Sequence, residues 1–357
     1  MQEVTLDIHI NKVAKSRINT VDFNNLAFGR SFADHMFEVD FKNGRWQDAR
    51  IIPYENLSIS PANSALHYGQ AIFEGLKAYK SEVDDKILIF RPQENARRLQ
   101  LSAARLCMPK LPEELFMQGL HELINLDRQW VPSKAGCSLY IRPLLFATDE
   151  YLGLRPSDTY KFLIMTSPVG AYYPVPVKVK VERFYSRSCE GGTGAAKCAG
   201  NYAASMYPAK IAQEKGFDQL LWTDSKEHKY IEEAGSMNVM FVIGDTLITA
   251  PTSKDTILAG ITRKSVLHLA REWGMKVEER YLSVDELVTA YHNKTLKEAF
   301  GAGTAATISH IAMIHHDGVD YNMPPVETRE FSNKVLKYMV DLQRGKIEDQ
   351  FGWIYKV

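Results

Sequence analysis

The sequence predicts a two-domain protein of the mixed α/β class. Strand-like runs alternate with amphipathic helical runs in both halves of the chain. The 357 residues are enough for about two domains. Residues 170–176, Gly-Ala-Tyr-Tyr-Pro-Val-Pro, form a stiff, non-periodic connector in which two prolines favour extended backbone. We therefore expect a small α/β domain at 1–170, a connector at 171–177 and a large α/β domain at 178–357.

In the first half, apolar and β-branched runs predict strands, and two prolines mark helix starts. The strands are expected at 35–40, within 71–79, and at 86–90, 138–145 and 161–165. Asn43-Gly44 is a turn signal. Pro92 begins a helix that ends near Leu106, because proline is favourable in a first turn. Pro112 begins a second helix, whose apolar residues follow helical spacing.

The second half is more regular. Strands are expected at 177–181, 220–224, 238–242 and 246–249. Helices are expected from Tyr202 to about Gly216 with an interruption or bend at Pro208, at 262–272, after the capping box that starts at Ser283, and at 327–344. Residues 300–306, Phe-Gly-Ala-Gly-Thr-Ala-Ala, are interpreted as a second glycine loop.

Composition and charge exclude several functions. Basic and acidic residues number 43 each, so no global field attracts nucleic acid or an anionic membrane. The four cysteines form no C-x-x-C pair and no metal-ligand spacing, which predicts free thiols in a reducing compartment and no metal site. We see no signal-peptide pattern at the N-terminus and no apolar run long enough for a membrane span. These features predict a cytoplasmic protein.

One stretch stands out chemically. Between Glu190 and Tyr202, four glycines and three alanines surround Lys197, and no carboxylate follows until Glu214. A lysine without a nearby counter-charge is a candidate for Schiff-base chemistry, which needs an amine that can lose its proton. The alternative is a flexible surface loop with a solvated charge. The spacing fits neither a phosphate loop nor a dinucleotide-binding loop.

Other residues supply chemistry that such a lysine could use. Tyr202 carries a phenol, and Glu233 places a carboxylate just before an apolar strand. Gly260-Ile261-Thr262 leads into a helix whose first N–H groups could face a phosphate, and Thr304 could do the same. Each of these features alone is more often structural than functional.

Together the motifs resemble branched-chain amino acid aminotransferases. Residues 191–205, Gly-Gly-Thr-Gly-Ala-Ala-Lys-Cys-Ala-Gly-Asn-Tyr-Ala-Ala-Ser, resemble the lysine segment of that family. Residues 66–77, Leu-His-Tyr-Gly-Gln-Ala-Ile-Phe-Glu-Gly-Leu-Lys, are a second match. Further matching segments lie at 28–36, 139–143, 167–170, 233–238 and 303–305.

The resemblance implies a fold-type IV pyridoxal 5'-phosphate enzyme that works as a homodimer on small amino acids and 2-oxo acids. The reaction implied is transamination of leucine, isoleucine and valine with 2-oxoglutarate. Lys197 resembles the Schiff-base lysine, Tyr202 the donor to the phenolic oxygen and Glu233 the partner of the pyridine nitrogen. The implied phosphate contacts are Arg98, Ile261, Thr262 and Thr304, with Arg187 as a further candidate. The implied substrate residues are Tyr68, Phe73, Tyr140, Arg142, Tyr172, Thr304 and Ala305, the last through its backbone N–H.

One departure from the family pattern bears on regulation. Some members carry a C-x-x-C redox pair where this chain has Ala306-Thr307-Ile308-Ser309, so we expect no thiol switch there.

Two alternative functions stay open within the fold type, those of a D-amino acid aminotransferase and an aminodeoxychorismate lyase. A third is a phosphate-binding module without covalent chemistry.

Overall fold

The computed structural model of the chain describes residues 7–170 and 175–357. These residues form eighteen β-strands and seven α-helices. The strands are β1 (His9–Ile10), β2 (His35–Lys42), β3 (Arg45–Pro53), β4 (Ala71–Phe73), β5 (Leu76–Lys80), β6 (Ile87–Phe90), β7 (Ser138–Ala147), β8 (Tyr160–Val169), β9 (Val177–Val181), β10 (Gln219–Thr223), β11 (Ile231–Ala234), β12 (Met237–Ile243), β13 (Thr246–Thr249), β14 (Lys276–Glu279), β15 (Leu296–Gly303), β16 (Thr307–His316), β17 (Val319–Asn322) and β18 (Ile354–Lys356). The helices are α1 (Ser64–Tyr68), α2 (Pro92–Arg105), α3 (Glu113–Leu126), α4 (Ala199–Glu214), α5 (Ile261–Glu272), α6 (Val284–His292) and α7 (Glu330–Gln343).

The chain divides into two compact units. The first comprises Met1–Tyr172, Ala196–Ala199 and Asp341–Val357, and the second comprises Tyr173–Ala195 and Gly200–Val340. Two segments of the predicted large domain, at 178–357, therefore pack with the first unit instead. The reason is backbone pairing, because β18 pairs with β6 and the Phe73 N–H donates to the Lys197 carbonyl at 3.0 Å. Of the predicted connector, residues 171–174 lie outside the described residues.

The first unit is built on a nine-stranded sheet. Its order is β1-β3-β2-β8-β7-β5-β6-β18, with β4 added against β7. Side chains alternate between the two faces of a strand. On β7, Leu139, Ile141 and Leu145 are buried in the core that α2 and α3 cover with residues such as Leu99 and Leu120. The even-numbered residues of β7 therefore lie on the opposite face.

The second unit has its own nine-stranded sheet. The order is β11-β10-β9-β16-β15-β12-β13-β14, with β17 beside β16. An additional pairing of β11 with β12 closes six of these strands into a ring. Apolar residues of these strands, among them Val179, Val239 and Phe241, and of α6 fill its core. The mixed α/β class predicted from the sequence is confirmed.

Most predicted elements are present within a few residues of their expected bounds. Strands β2, β6 to β10, β12 and β13 and helices α2, α3 and α5 match their predictions. Asn43 and Gly44 both have positive φ in the turn between β2 and β3. Ser283 caps α6 by accepting from the Glu286 N–H at 3.0 Å, although the Glu286 carboxylate pairs with Arg280 instead of completing the capping box.

Three predictions are wrong in detail. Helix α4 begins at Ala199 and runs through Pro208 without interruption, and α7 begins at Glu330. The second glycine loop is largely strand, because residues up to Gly303 pair on β15 and only 304–306 turn. Gly301 lets Met237 pack closely against that strand, because a Cβ there would lie 2.8 Å from the end of the Met237 side chain, which would then have to move.

Within the two described ranges, 7–170 and 175–357, no helix combines the length and the apolar character that a membrane crossing requires.

Candidate active site

Lys197 is held by its backbone against the first unit. Its carbonyl accepts from the Phe73 N–H at 3.0 Å, and its own N–H donates to Ser102 Oγ on α2 at 2.9 Å. The next residue, Cys198, forms an isolated bridge with Ile72 on β4. These contacts hold the backbone of the lysine segment against α2 and β4. The predicted glycine-rich loop is therefore anchored at Lys197 and is not a free surface loop.

The amine of Lys197 is easier to deprotonate than that of an ordinary lysine. Burial lowers its pKa from 10.5 to about 8, and the positive charges of Arg98 and Arg142 act in the same direction. Glu74 and Tyr140 raise the pKa but do not outweigh burial. Lowered lysine pKa values of this kind are typical of amines that act as nucleophiles or bases.

Three predicted substrate residues surround this amine within the first unit. The Phe73 ring lies 4.9 Å from Lys197 Nζ and 4.5 Å from the Arg142 guanidinium carbon. Arg142 also donates to the Tyr140 hydroxyl at 2.9 Å. The Tyr140 ring reaches over Gly75, where a Cβ would lie within 3.2 Å of the ring carbon Cζ, so glycine is required at that position. The Phe73 ring therefore gives the amine an apolar neighbour, and the Arg142 guanidinium and the Tyr140 hydroxyl form a positively charged, hydrogen-bonding group beside that ring.

Arg98 is buried on α2 and forms a bidentate ion pair with Glu74. Its Nε and Nη2 donate to the two carboxylate oxygens at 2.8 and 2.7 Å. Asn95, one turn earlier on α2, donates to the same carboxylate at 2.8 Å. Bidentate pairs of this type are among the strongest polar contacts in proteins. The predicted phosphate arginine is therefore a rigidly oriented, buried cation whose field reaches Lys197.

Glu233 is the centre of a buried polar group in the second unit. Its Oε2 lies 3.0 Å from Arg187 Nε, and its Oε1 accepts from the Leu258 N–H at 3.0 Å and from Asn238 at 3.1 Å. Arg187 also donates to the Thr256 carbonyl at 2.6 Å. An ionised carboxylate with a cation and two donors around it is stabilised in its charged form. Such a group can hold a proton on a basic ring nitrogen.

Helix α5 begins next to this group. It begins at Ile261 after Gly260, and no side chain caps its first N–H groups. Uncapped N–H groups at a helix N-terminus favour negative charge, phosphate in particular. Both Ile261 and Thr262 are buried, at 8% and 7% exposure. Since Leu258 binds Glu233 directly, the carboxylate and the helix start lie in one neighbourhood.

The remaining predicted residues lie elsewhere in their units. Thr304 and Ala305 form the half-buried turn between β15 and β16, and Tyr202 lies half-buried in the first turn of α4. Tyr68 ends α1 at the surface and donates to the Leu152 carbonyl. Tyr172 is outside the described residues.

Three residues with evident roles in this arrangement were not predicted. Glu74 orients Arg98, Asn238 orients Glu233, and Ser102 positions the backbone of Lys197. Glu74 and Asn238 both belong to segments that carry the family resemblance. The sequence did hold one signal. Asn95 and Arg98 are three residues apart, which places both on one face of the helix, where they can bind the same acidic side chain.

In the described part of the chain, no group of three or more His, Cys, Asp or Glu side chains is placed to hold a metal ion. The four cysteines are free thiols.

Comparisons with known proteins identify the family of the chain. The family model described as amino-transferase class IV matches residues 71–314. The chain is 45% identical to branched-chain-amino-acid aminotransferase 2 of Bacillus subtilis, over 100% of this chain and 98% of the relative. It is 46% identical to a probable branched-chain-amino-acid aminotransferase of Staphylococcus epidermidis, over 94% of each chain.

Solved structures give the same result for the fold. A branched-chain amino acid aminotransferase from Escherichia coli superimposes with a TM-score of 0.69 at 26% identity, covering 89% of this chain and 98% of that one. The T.th. branched-chain amino acid aminotransferase complexed with N-(5'-phosphopyridoxyl)-L-glutamate has a TM-score of 0.69 at 25% identity, covering 89% and 97%.

The fold and the family match define an aminotransferase of class IV, a fold-type IV enzyme. The two relatives described above align over nearly their whole lengths at 45% and 46% identity. The chain therefore belongs to the branched-chain-amino-acid aminotransferase family.

Proposed function

We propose that this chain transfers the amino group of leucine, isoleucine and valine to 2-oxoglutarate, giving the branched-chain 2-oxo acids and L-glutamate. The observation that carries the proposal is the amine of Lys197, with its pKa lowered to about 8 by burial and with Phe73, Tyr140 and Arg142 around it. The names of the relatives support the apolar substrates. The phosphopyridoxyl-glutamate complex of the T.th. enzyme supports glutamate as the second amino acid.

The residues that we propose for pyridoxal 5'-phosphate carry the chemical groups that this cofactor needs. Lys197 supplies an amine that can hold the cofactor as a Schiff base. Glu233 supplies a buried carboxylate for the ring nitrogen, and Tyr202 a phenol for the phenolic oxygen. The phosphate contacts we propose are Arg98, the start of α5 at Ile261 and Thr262, Thr304, and Arg187 as a further candidate.

When bound, this cofactor would supply an electron sink for the negative charge left on the substrate α-carbon when its proton is removed. Lys197 Nζ, as the free amine, accepts that α-proton, a role for which a pKa of about 8 suits an amine near neutral pH. Glu233 holds the proton on the ring nitrogen. Arg142 and Tyr140 orient the substrate, together with Tyr68, Tyr172 and the backbone of Thr304 and Ala305, while Phe73 lines the apolar side-chain site.

The attachment site can be tested by chemical trapping. Reduction of the pyridoxal-phosphate-loaded enzyme with borohydride, followed by peptide mass spectrometry, is expected to find the reduced cofactor on Lys197. Lys197→Ala should lose this adduct and almost all turnover of leucine. Lys210→Ala, at an exposed lysine on α4, is the matched control and should keep both. Normal leucine turnover by Lys197→Ala would disprove the mechanism.

The substrate class can be tested with a panel of amino donors against 2-oxoglutarate. The proposal expects the L-forms of leucine, isoleucine and valine to be the best donors. Preference for D-amino acids, or release of pyruvate from aminodeoxychorismate, would assign the chain to one of the alternative fold-type IV activities.

We further propose a cytoplasmic homodimer. The family resemblance supports it, as do two neighbouring apolar side chains of the first unit, Leu152 and Leu154, which are 60% and 82% exposed. Burial of such side chains against a second copy would be favourable. Light scattering on the purified protein should give the mass of two chains, and a monomer at assay concentration would contradict the proposal.

A further inference from the structure

Strand β11 carries a second buried carboxyl group, which the proposed mechanism does not use. Ile231 and Glu233 pair with adjacent residues of β10, so Glu232 between them is the extra residue of a β-bulge. Ile231 and Ala234 both belong to the apolar core of the second unit. Glu232 and Glu233 therefore both point away from that core, whereas in a regular strand two successive side chains lie on opposite faces.

Glu232 is buried and has fewer partners than Glu233. It is 3% exposed, and among the described residues its Oε2 has no hydrogen-bond partner. Glu233 has partners at both oxygens. Its Oε1 accepts from the Leu258 N–H and from Asn238, and its Oε2 lies 3.0 Å from Arg187 Nε. Because a buried charge needs such partners and a neutral acid needs fewer, the surroundings favour ionised Glu233 and neutral Glu232.

The charges around Glu232 favour the same distribution. Arg187 already pairs with Glu233 and donates to the Thr256 carbonyl at 2.6 Å, and its single charge balances one carboxylate and not two. Burial raises the pKa of Glu232 above its ordinary value of 4.5, and the negative charges of Glu233 and Asp224 act in the same direction. A hydrogen bond from Thr256 and the charge of Arg187 lower this pKa but do not outweigh burial. Of two carboxyl groups that share one site, one commonly keeps its proton.

We propose that Glu232 is a neutral carboxylic acid in the folded protein, which leaves Arg187 to Glu233, and that loss of this proton to solvent weakens cofactor binding. An ionised Glu232 would compete with Glu233 for Arg187, and a buried carboxylate that loses its cation is strongly destabilised. Glu232 is thus a positioning residue, since it acts on the ring nitrogen only through Glu233 and Arg187. The link to the cofactor rests on the proposed function, whereas the protonation state of Glu232 does not.

The protonation state can be measured by infrared spectroscopy of the cofactor-free protein in heavy water, where a neutral carboxylic acid has a carbonyl band separate from those of carboxylates and amides. The difference spectrum between the unaltered protein and Glu232→Gln at pH 7 should contain this band, and the band should disappear during titration towards pH 10. Glu227→Gln, at an exposed carboxylate in the preceding turn, is the control and should give no such band. A Glu232 difference spectrum without the band would refute the proposal.

Absorbance titrations with pyridoxal phosphate connect this proton to the cofactor. Because glutamine is neutral at every pH, Glu232→Gln should keep the affinity that the unaltered protein has at pH 7. As the infrared band disappears at higher pH, the affinity of the unaltered protein should fall roughly tenfold relative to Glu232→Gln, the size expected when a contact with a charged group is weakened. Equal affinities of the two proteins over the whole pH range would show that the proton does not act on the cofactor.

Thr256→Val is a second variant, which keeps the test valid if Glu232→Gln does not fold. It retains the backbone carbonyl that binds Arg187 and removes the side-chain hydrogen bond that favours ionised Glu232. The infrared band should therefore persist to higher pH in this variant. A band that disappears at the same or a lower pH than in the unaltered protein would contradict the assignment to Glu232.

The inference and the proposed function fail in different ways. If the unaltered protein shows the infrared band but does not exchange amino groups between leucine and 2-oxoglutarate, the proposed function is wrong. If it does exchange them, but the band is absent or Glu232→Gln leaves the pH dependence of pyridoxal-phosphate affinity unchanged, the role of Glu232 is wrong.

Discussion

Replacing Lys197 with methionine should stabilise the cofactor-free protein at neutral pH. The substitution removes the charge and keeps an apolar chain of similar length. The pKa of Lys197 falls from 10.5, the ordinary value, to about 8 in the folded protein. At about 1.4 kcal/mol per pKa unit, this difference corresponds to about 3 kcal/mol of folding free energy. Because the residue is half-buried, we take that figure as an upper value.

The sign follows from proton binding. Between pH 8 and 10.5 the unfolded chain holds a proton on Lys197 that the folded chain has lost, so the stability of the unaltered protein rises with pH in that window. Below pH 8 both states are protonated, and the folded state carries the whole cost of the buried cation. The methionine variant should therefore be more stable by up to about 3 kcal/mol at pH 7 and should lose this advantage by about pH 10.5.

Urea unfolding of the cofactor-free proteins at pH 7, 9 and 10.5 measures this difference. Lys210→Met, at a side chain that is 76% exposed, is the control and should change stability by less than about 0.5 kcal/mol at every pH. A Lys197→Met protein that is less stable than the unaltered one at pH 7, or whose advantage does not shrink towards pH 10.5, would refute the reasoning.

Two further predictions concern the buried ion pairs. Glu74→Gln leaves Arg98 without its carboxylate and should cost about 3–5 kcal/mol in urea unfolding at pH 7, so a loss below about 1 kcal/mol would contradict a buried pair. Arg187→Met removes the cation beside Glu233. The Glu233 carboxylate must be ionised to bind the protonated ring nitrogen, and without the cation its ionised form is less stable. We therefore expect the affinity for pyridoxal phosphate, measured by absorbance titration, to fall at least about tenfold. Arg183→Met, at an exposed pair, is the control, and equal affinities for the two variants would count against this role.

Local sequence was sufficient to predict Lys197 as a reactive amine, because small residues surround it, and the structure gives this amine a lowered pKa. Local sequence was also sufficient to predict α2, from Pro92 in its first turn. Strand β7 was visible because its odd-numbered residues are apolar, although periodicity alone did not show that Phe73 of β4 lies beside Arg142. That conclusion needs the strand register, which depends on which strands pair.

What sequence reasoning missed depends on contacts between distant parts of the chain. Glu74 meets Arg98 across 24 residues, and nothing in the local pattern around Glu74 distinguishes a buried carboxylate from an exposed one. The glycines at 301 and 303 indicated a loop, but they serve close packing of Met237 against β15. Local propensity cannot separate these two uses of glycine.

The pairing of β18 with β6 has a consequence for how the protein is made. Arg344 donates to the Lys80 carbonyl, 264 positions earlier in the sequence, and also to the carbonyls of Lys134 and Cys137. The sheet beside Lys197 therefore cannot be finished while residues 341–357 are still inside the ribosome. Until then β6 is an unprotected sheet edge, a site at which nascent chains can associate wrongly. The second unit has all its strands before residue 323 and can close its ring of strands first.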